Sequence, residues 1–234
     1  MLFEKYCFTT VASQSNLNFE WWVYFDSNLS KFYRAKNIKL QQQFPNLKIK
    51  FEDSLTDFWK NLPISIYKDA LSNNIRKIIT TRLDNDDAIA VDFIEIIQNT
   101  FKKETFLPVL FQFKYGFTYT VEGPRILRQL DYNKNPFISL AENINNPKDL
   151  KTVYAFAHDK WEDTRTVVIV TVPKWMQIIH NKNMLNTSRG LEVSPLKLKR
   201  DFKFEHKDLG VIEHFLFIIK QGRSKIKTIY RKFK

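Results

Sequence analysis

The feature that most constrains this chain is a compact apolar run that ends directly in acids. KIITTRL, residues 77–83, is followed by DNDD and then by AIAVDFIEIIQNTFKK. Ile78, Ile79, Thr80 and Thr81 are β-branched, which favours a pleated strand. Beyond the acids, Ile89, Phe93, Ile97 and Phe101 recur every fourth residue, close to the period of one helix face. The pattern predicts strand, acidic turn and helix, with the helix beginning near Ala88. Open α/β sheets bind ligands outside the carboxyl ends of their strands, so Asp84, Asn85, Asp86 and Asp87 stand where a ligand would be met.

Two readings of the acids compete at this level. Asp86 or Asp87 can cap the following helix, a contribution of about 0.5–2 kcal/mol, but capping accounts for one Asp and not three. Alternatively, oxygen ligands at i and i+2 suit Mg²⁺ or Mn²⁺, which need few protein carboxylates when substrate phosphates complete the shell. A calcium-binding helix–loop–helix is excluded, because Ala88 and Ile89 fall where a ligand and the turn glycine are required.

The rest of the chain alternates in the same way. Residues 2–13 are predicted as helix, 19–26 as strand, 29–43 as helix and 47–53 as an edge strand. The stretch 55–74 is predicted helical in its second half. LPVLFQF, GFTYTVE, TVVIVTV and KWMQIIH are strand-like, and TVYAFAH reads as extended. RILRQLDY is ambiguous, and NPFISLAENI is expected to pass from an extended segment into a short helix. Together these predict one α/β domain on a mostly parallel central sheet flanked by helices.

Several classes are excluded. Five glycines include no GxGxxG or GxxxxGK[ST] window, and one cysteine, Cys7, makes neither an internal disulfide nor a cysteine-based zinc site. Apolar runs fall short of the ~20 residues of a membrane span, and MLFEKYCF lacks the features of a signal peptide. A cytoplasmic location is expected.

The net charge of +12 is uneven: residues 197–234 hold 12 Lys or Arg against 4 Asp or Glu, a net of +8. Ile212, Phe215, Leu216 and Ile219, then Ile226, Ile229, Tyr230 and Phe233, are near helical spacing, with Gly222 as a break. A docked helix with a solvated basic face, a peripheral contact with anionic membrane, and nucleic acid are the three readings. Nucleic acid ranks last, since none of its usual motifs is present.

TTRLDNDDAIAVDFIEIIQ, with LFEKYCFTTVASQSNLNFEWWVYFD upstream and NPFISLAE, TVYAFAH and KWMQIIHNKN downstream, resembles the putative rhamnosyltransferase family of GT-A-type glycosyltransferases. The resemblance implies a GT-A-like domain over residues 1–190 and a basic helical extension over 191–234. It implies transfer of a sugar from a nucleotide-sugar donor to a glycan or lipid-linked acceptor, with Mn²⁺ or Mg²⁺ at the D-x-D. Asp84 and Asp86 match that motif, and His180 matches a late histidine that completes the metal site or meets the diphosphate. Arg82, Asp84, Asp87 and His158 are the expected donor-binding residues. For the base that deprotonates the acceptor hydroxyl, Glu142 is the first candidate and Asp163 the second, with Asp159 and Glu162 behind. Family members carry a strand ahead of the segment matching LFEKYCF, and that opening strand is expected to be missing here.

Overall fold

The computed structural model describes residues 2–123, 125–181, 187–204 and 214–221. The chain opens with a π-helical segment, Phe3–Phe8, that runs into the short helix α1, Thr9–Ala12. Strand β1 (Trp21–Asp26), helix α2 (Lys31–Gln43) and strand β2 (Leu47–Glu52) form a parallel unit in which Trp21 pairs Leu47 and Asp26 pairs Glu52. Helix α3 spans Leu55–Ser72 in full, longer than its sequence pattern predicts, because Ser54 caps it from outside by accepting the Asp57 N–H at 3.1 Å. Pro63 sits inside this helix, where it removes one backbone donor without ending it.

After β3 (Lys77–Thr81) the acidic turn leads into a two-residue strand, β4 (Ala88–Ile89), and then helix α4 (Phe93–Phe101). The helix therefore begins five residues later than its spacing predicts. Its N-cap is Asp92, not Asp86 or Asp87, and the Asp92 carboxylate is held by the buried Lys174 at 2.6 Å. Ala88, Ile89 and Ala90 are buried against sheet rather than within helix.

The second half is made of strands β5 (Val109–Phe113), β6 (Tyr115–Thr120), β7 (Ile126–Asp131), β8 (Ile138–Asn143), β9 (Thr166–Ile169), β10 (Trp175–Ile179) and β11 (Leu191–Val193). A 3₁₀ turn, Pro195–Lys197, and helix α5, Leu198–Asp201, follow. RILRQLDY is thus a strand. NPFISLAENI forms no helix, because Ile138–Asn143 is paired on both sides, by β3 and β5. TVYAFAH forms turns, with Thr152 held at φ 62°.

Strand order is β11-β7-β6-β10-β4 in one sheet and β3-β8-β5-β9 in another, beside the β1-β2 pair. Among the described residues three pairings are parallel and five antiparallel, so the central sheets are mixed and not mostly parallel. The reason is connection length. A parallel crossover needs a dozen or more residues, and the connection from β6 to β7 is far shorter, so those strands close as a hairpin.

Trp175 joins the sheets. It is fully buried in β10, stacks on Phe137 with ring centroids 5.0 Å apart, and donates its indole N–H to the Phe113 carbonyl of β5 at 3.2 Å. Its ring lies over Gly116 of β6, where any Cβ would overlap the indole. The chain after residue 190 begins inside this fold: Leu198, Phe202 and Phe204 pack in one cluster with Tyr6, Phe117 and Tyr119. The basic residues expected to form the tail helix fall largely at 205–213 and 222–234, outside the described residues.

Gly116→Val is expected to destabilise the fold by at least about 1–3 kcal/mol, the usual cost of overpacking a closed core. Chemical denaturation followed by tryptophan fluorescence reads this, and an unchanged midpoint would refute the role given to that contact.

Candidate functional site

The acidic turn is fastened to β10 residue by residue. Ile89 pairs Trp175 and Ala88 pairs Met176 as antiparallel backbone. Beyond the paired backbone, Asp87 Oδ1 accepts the Ile178 N–H at 2.9 Å. His180, two residues past Ile178, donates Nε2–H to Asp86 Oδ2 at 2.9 Å. Asp86 and His180, 94 residues apart in sequence, are thus brought side by side, with side chains 23% and 10% exposed.

The amino-terminal helix closes the turn from behind. The Cys7 thiol lies 3.7 Å from the Asp84 carbonyl, and the Ile89 N–H reaches the Thr10 hydroxyl at 3.4 Å. Buried Gln14 donates to the Ala90 carbonyl at 2.8 Å and accepts the Ile94 N–H at 3.0 Å. Both ends of the turn are therefore held by residues some 80 positions away. Sequence reasoning missed Cys7, Thr10 and Gln14, since nothing in their spacing marks them.

Electrostatics sort the three aspartates. Asp87 is 1% exposed, and its Oδ2 finds no hydrogen bond among the described residues. Burial, then the neighbouring Asp86, push its carboxyl well above the usual range, against the opposing Ile178 N–H. Burial and the same three acids push the Cys7 thiol up, so it holds its proton. Asp84 faces Arg82, whose Nε lies 3.3 Å from Oδ1. The guanidinium also sits 5.9 Å from the centre of the Tyr154 ring. Burial, then Asp84, raise the Tyr154 hydroxyl to about 12.

Asp84 and Asp86 line one wall of an open cleft of about 1890 Å³. Arg82, Tyr154, His158 and Asp159 line the same cleft, as does Tyr24 of β1. Of the expected donor-binding residues, Arg82, Asp84 and His158 are therefore on the cleft. Asp87 is buried behind it and acts on the backbone of β10.

For a metal ion the donor set is partial. Among the described residues no cluster of three His, Cys, Asp or Glu is arranged to hold an ion. Asp84, expected as a ligand, is engaged by Arg82. Two donors do converge: the 2.9 Å between Asp86 Oδ2 and His180 Nε2 is close to the roughly 3.0 Å between adjacent ligands of an octahedral ion bound at about 2.1 Å. Asp86 and His180 thus fit an ion that takes its other ligands from phosphate and water.

Neither leading candidate for the base is brought to this wall. Glu142 pairs Ile78 at the start of β3, whereas the acidic turn follows the end of that strand. Its two oxygens accept the Lys151 and Thr152 N–H groups, each at 2.9 Å. Asp163 is exposed, in the loop before β9.

A family model described as "Putative rhamnosyl transferase" matches residues 1–191. The chain belongs to this family. No curated protein matches the chain at the significance required. Membership places the chain among the glycosyltransferases, and the matched span includes the acidic turn and His180 together. Among its described residues no helix is long and apolar enough to cross a membrane.

Removing the Glu142 carboxylate strands two backbone donors, one of them at buried Thr152. Glu142→Ala is expected to cost about 1–3 kcal/mol for each donor left without a partner. Burial raises the Glu142 carboxyl despite those bonds. An acid with a raised native pKa contributes stability below its unfolded value, about 4.3, and that contribution is lost as pH rises through the native value. Glu142→Gln is therefore expected to flatten part of the fall in stability above about pH 4, read by urea denaturation at a series of pH values.

Proposed function

We propose that the protein transfers a rhamnosyl group from a nucleoside-diphosphate donor to a hydroxyl of a glycan or lipid-linked acceptor, on a GT-A-like domain, with Mn²⁺ or Mg²⁺ bound at Asp86 and His180. The observation that carries this reading is the pairing of Asp86, which lines the cleft from the acidic turn, with His180, which follows β10. It supplies one carboxylate oxygen and one imidazole nitrogen at a ligand-to-ligand spacing, and leaves most of a coordination shell for phosphate oxygens.

A bound divalent cation supplies Lewis-acid stabilisation of the charge that the leaving diphosphate gains. The chain's own residues do the rest. Asp87 holds the turn on β10, so that Asp86 and His180 stay in register. Arg82 fixes Asp84 and keeps a guanidinium on the cleft wall beside any phosphate bound there. The cleft exceeds the roughly 300–1,000 Å³ of a drug-sized site, which suits a two-part donor together with an acceptor. In this reading the basic stretch 197–234 holds the protein against an anionic membrane surface from the cytoplasmic side, where a lipid-linked acceptor is met.

Calorimetric titration of UDP, dTDP and GDP tests the donor site, with and without Mn²⁺. One nucleotide is expected to bind only with the metal, and Asp86→Ala to lose that binding while keeping its unfolding midpoint. His180→Ala is expected to weaken it by about 10–100-fold, a loss of roughly 1.4–2.8 kcal/mol. Metal-independent binding, or full binding by Asp86→Ala, would remove the role given to the pair.

A further inference from the structure

The transfer proposed above needs a base for the acceptor hydroxyl, and of the carboxylates read from the sequence Glu142, Asp163 and Glu162 do not line the cleft, whereas Asp159 does, beside His158. We propose that His158 is that base, acting through Nε2 in a single displacement that inverts the anomeric centre.

The first observation is the tautomer. His158 Nδ1 lies 2.6 Å from the Lys134 carbonyl oxygen. A carbonyl only accepts, so Nδ1 carries the hydrogen and neutral His158 presents its lone pair at Nε2. Among the described residues nothing else bonds the ring. A half-buried histidine on a cleft wall, with its tautomer set by a backbone carbonyl, is prepared to take a proton.

The second observation is how that carbonyl is held. Lys134 has φ 60°, a left-handed conformation that is uncommon for a residue other than glycine. Fully buried Asn135 keeps it there: its amide donates to the Phe113 and Tyr132 carbonyls at 2.8 and 3.0 Å, and its oxygen accepts the Phe137 N–H at 3.1 Å. The Lys134 ammonium returns across the gap to the Asp159 carbonyl at 3.3 Å. A strained backbone position, fixed by a buried side chain and turned toward an imidazole, is the kind of outlier found at functional sites.

Position is the third. The Arg82 N–H bonds the Ile138 carbonyl at 3.0 Å, and Lys134 is only four residues before Ile138, at most about 14 Å of chain. His158 is thus anchored to the same end of the sheet as the acidic turn. The loop that carries it is tied down where it starts: Glu142 takes the Lys151 and Thr152 N–H groups, and Thr80 takes the Val153 N–H at 3.1 Å. Four residues before His158, Tyr154 packs beside Arg82.

The step balances. The acceptor O–H proton moves to His158 Nε2 as the acceptor oxygen forms its bond to the anomeric carbon. The bond from that carbon to the phosphate oxygen breaks, and its electron pair leaves with the nucleoside diphosphate. The imidazolium then returns the proton to water.

The test uses the full chain with Mn²⁺, UDP-, dTDP- and GDP-rhamnose as donors, and octyl glycosides as acceptors. Diphosphate release is followed and the product anomer read by NMR. His158→Gln keeps a side-chain amide for the Lys134 carbonyl and is expected to fold. It should lower kcat by about 10²–10⁴-fold with nucleotide affinity unchanged. His158→Ala should lose the same rate and regain part of it with added imidazole, which a purely structural histidine would not allow. Wild-type rates in His158→Gln, a retained anomer, or loss of transfer in Asp159→Asn with His158→Gln intact would each overturn the base alone. Metal-dependent nucleotide binding by the wild type with no turnover of any of the three donors would overturn the rhamnosyl transfer and the base together.

Discussion

The site depends on a four-residue zipper between the acidic turn and β10. Backbone pairing holds Ile89 to Trp175 and Ala88 to Met176, and past the paired residues side chains reach progressively further along the chain, Asp87 to Ile178 and Asp86 to His180. The two groups that fit a metal ion lie past the paired backbone, where side-chain contact takes over from the ladder. A shift of one residue would send His180 to the opposite face of its strand. The buried Asp87 resists that shift, since losing Ile178 would leave both a backbone donor and a carboxylate without a partner.

What keeps β10 in place is the fit of Trp175 against Gly116 and Phe137. The indole lies in the space that a side chain at Gly116 would fill and bonds the Phe113 carbonyl, so two separate sheets share one buried ring. Dense packing of this sort transmits displacement and does not absorb it. The register of the zipper is therefore set by an apolar contact at some remove from the acids.

Three aspartates close together, with a thiol behind them, make an electrostatically costly arrangement. The protein distributes the load: Arg82 pairs with Asp84, His180 faces Asp86, and burial pushes the Asp87 carboxyl and the Cys7 thiol up, disfavouring their charged forms. Glu142 follows the opposite logic. Its carboxylate is turned to the backbone of residues 151 and 152, and it fixes the loop that brings His158 to the cleft.

Local chemistry made much of this legible in advance. Most of the run 77–83 forms a strand, Lys77–Thr81, the turn that follows places Asp84, Asn85 and Asp86 on the cleft, and Phe93 and Ile97 are the buried face of α4. The order of motifs, from LFEKYCF to KWMQIIH, was sufficient to recognise the family. The start of α4 was not legible, because Ala88 and Ile89 suit helix and strand equally and only the approach of β10 decides between them. Nor was the direction of the strands, which follows from short connections whose ends are fixed by β7 and β8. Composition and periodicity determined which residues are apolar, acidic or turn-forming, since these are properties of single side chains and their near neighbours. Which acid meets the cleft, which is buried behind it and which braces a loop was decided by contacts between residues 9 to 94 positions apart. Those contacts form only when the sheets close around Trp175.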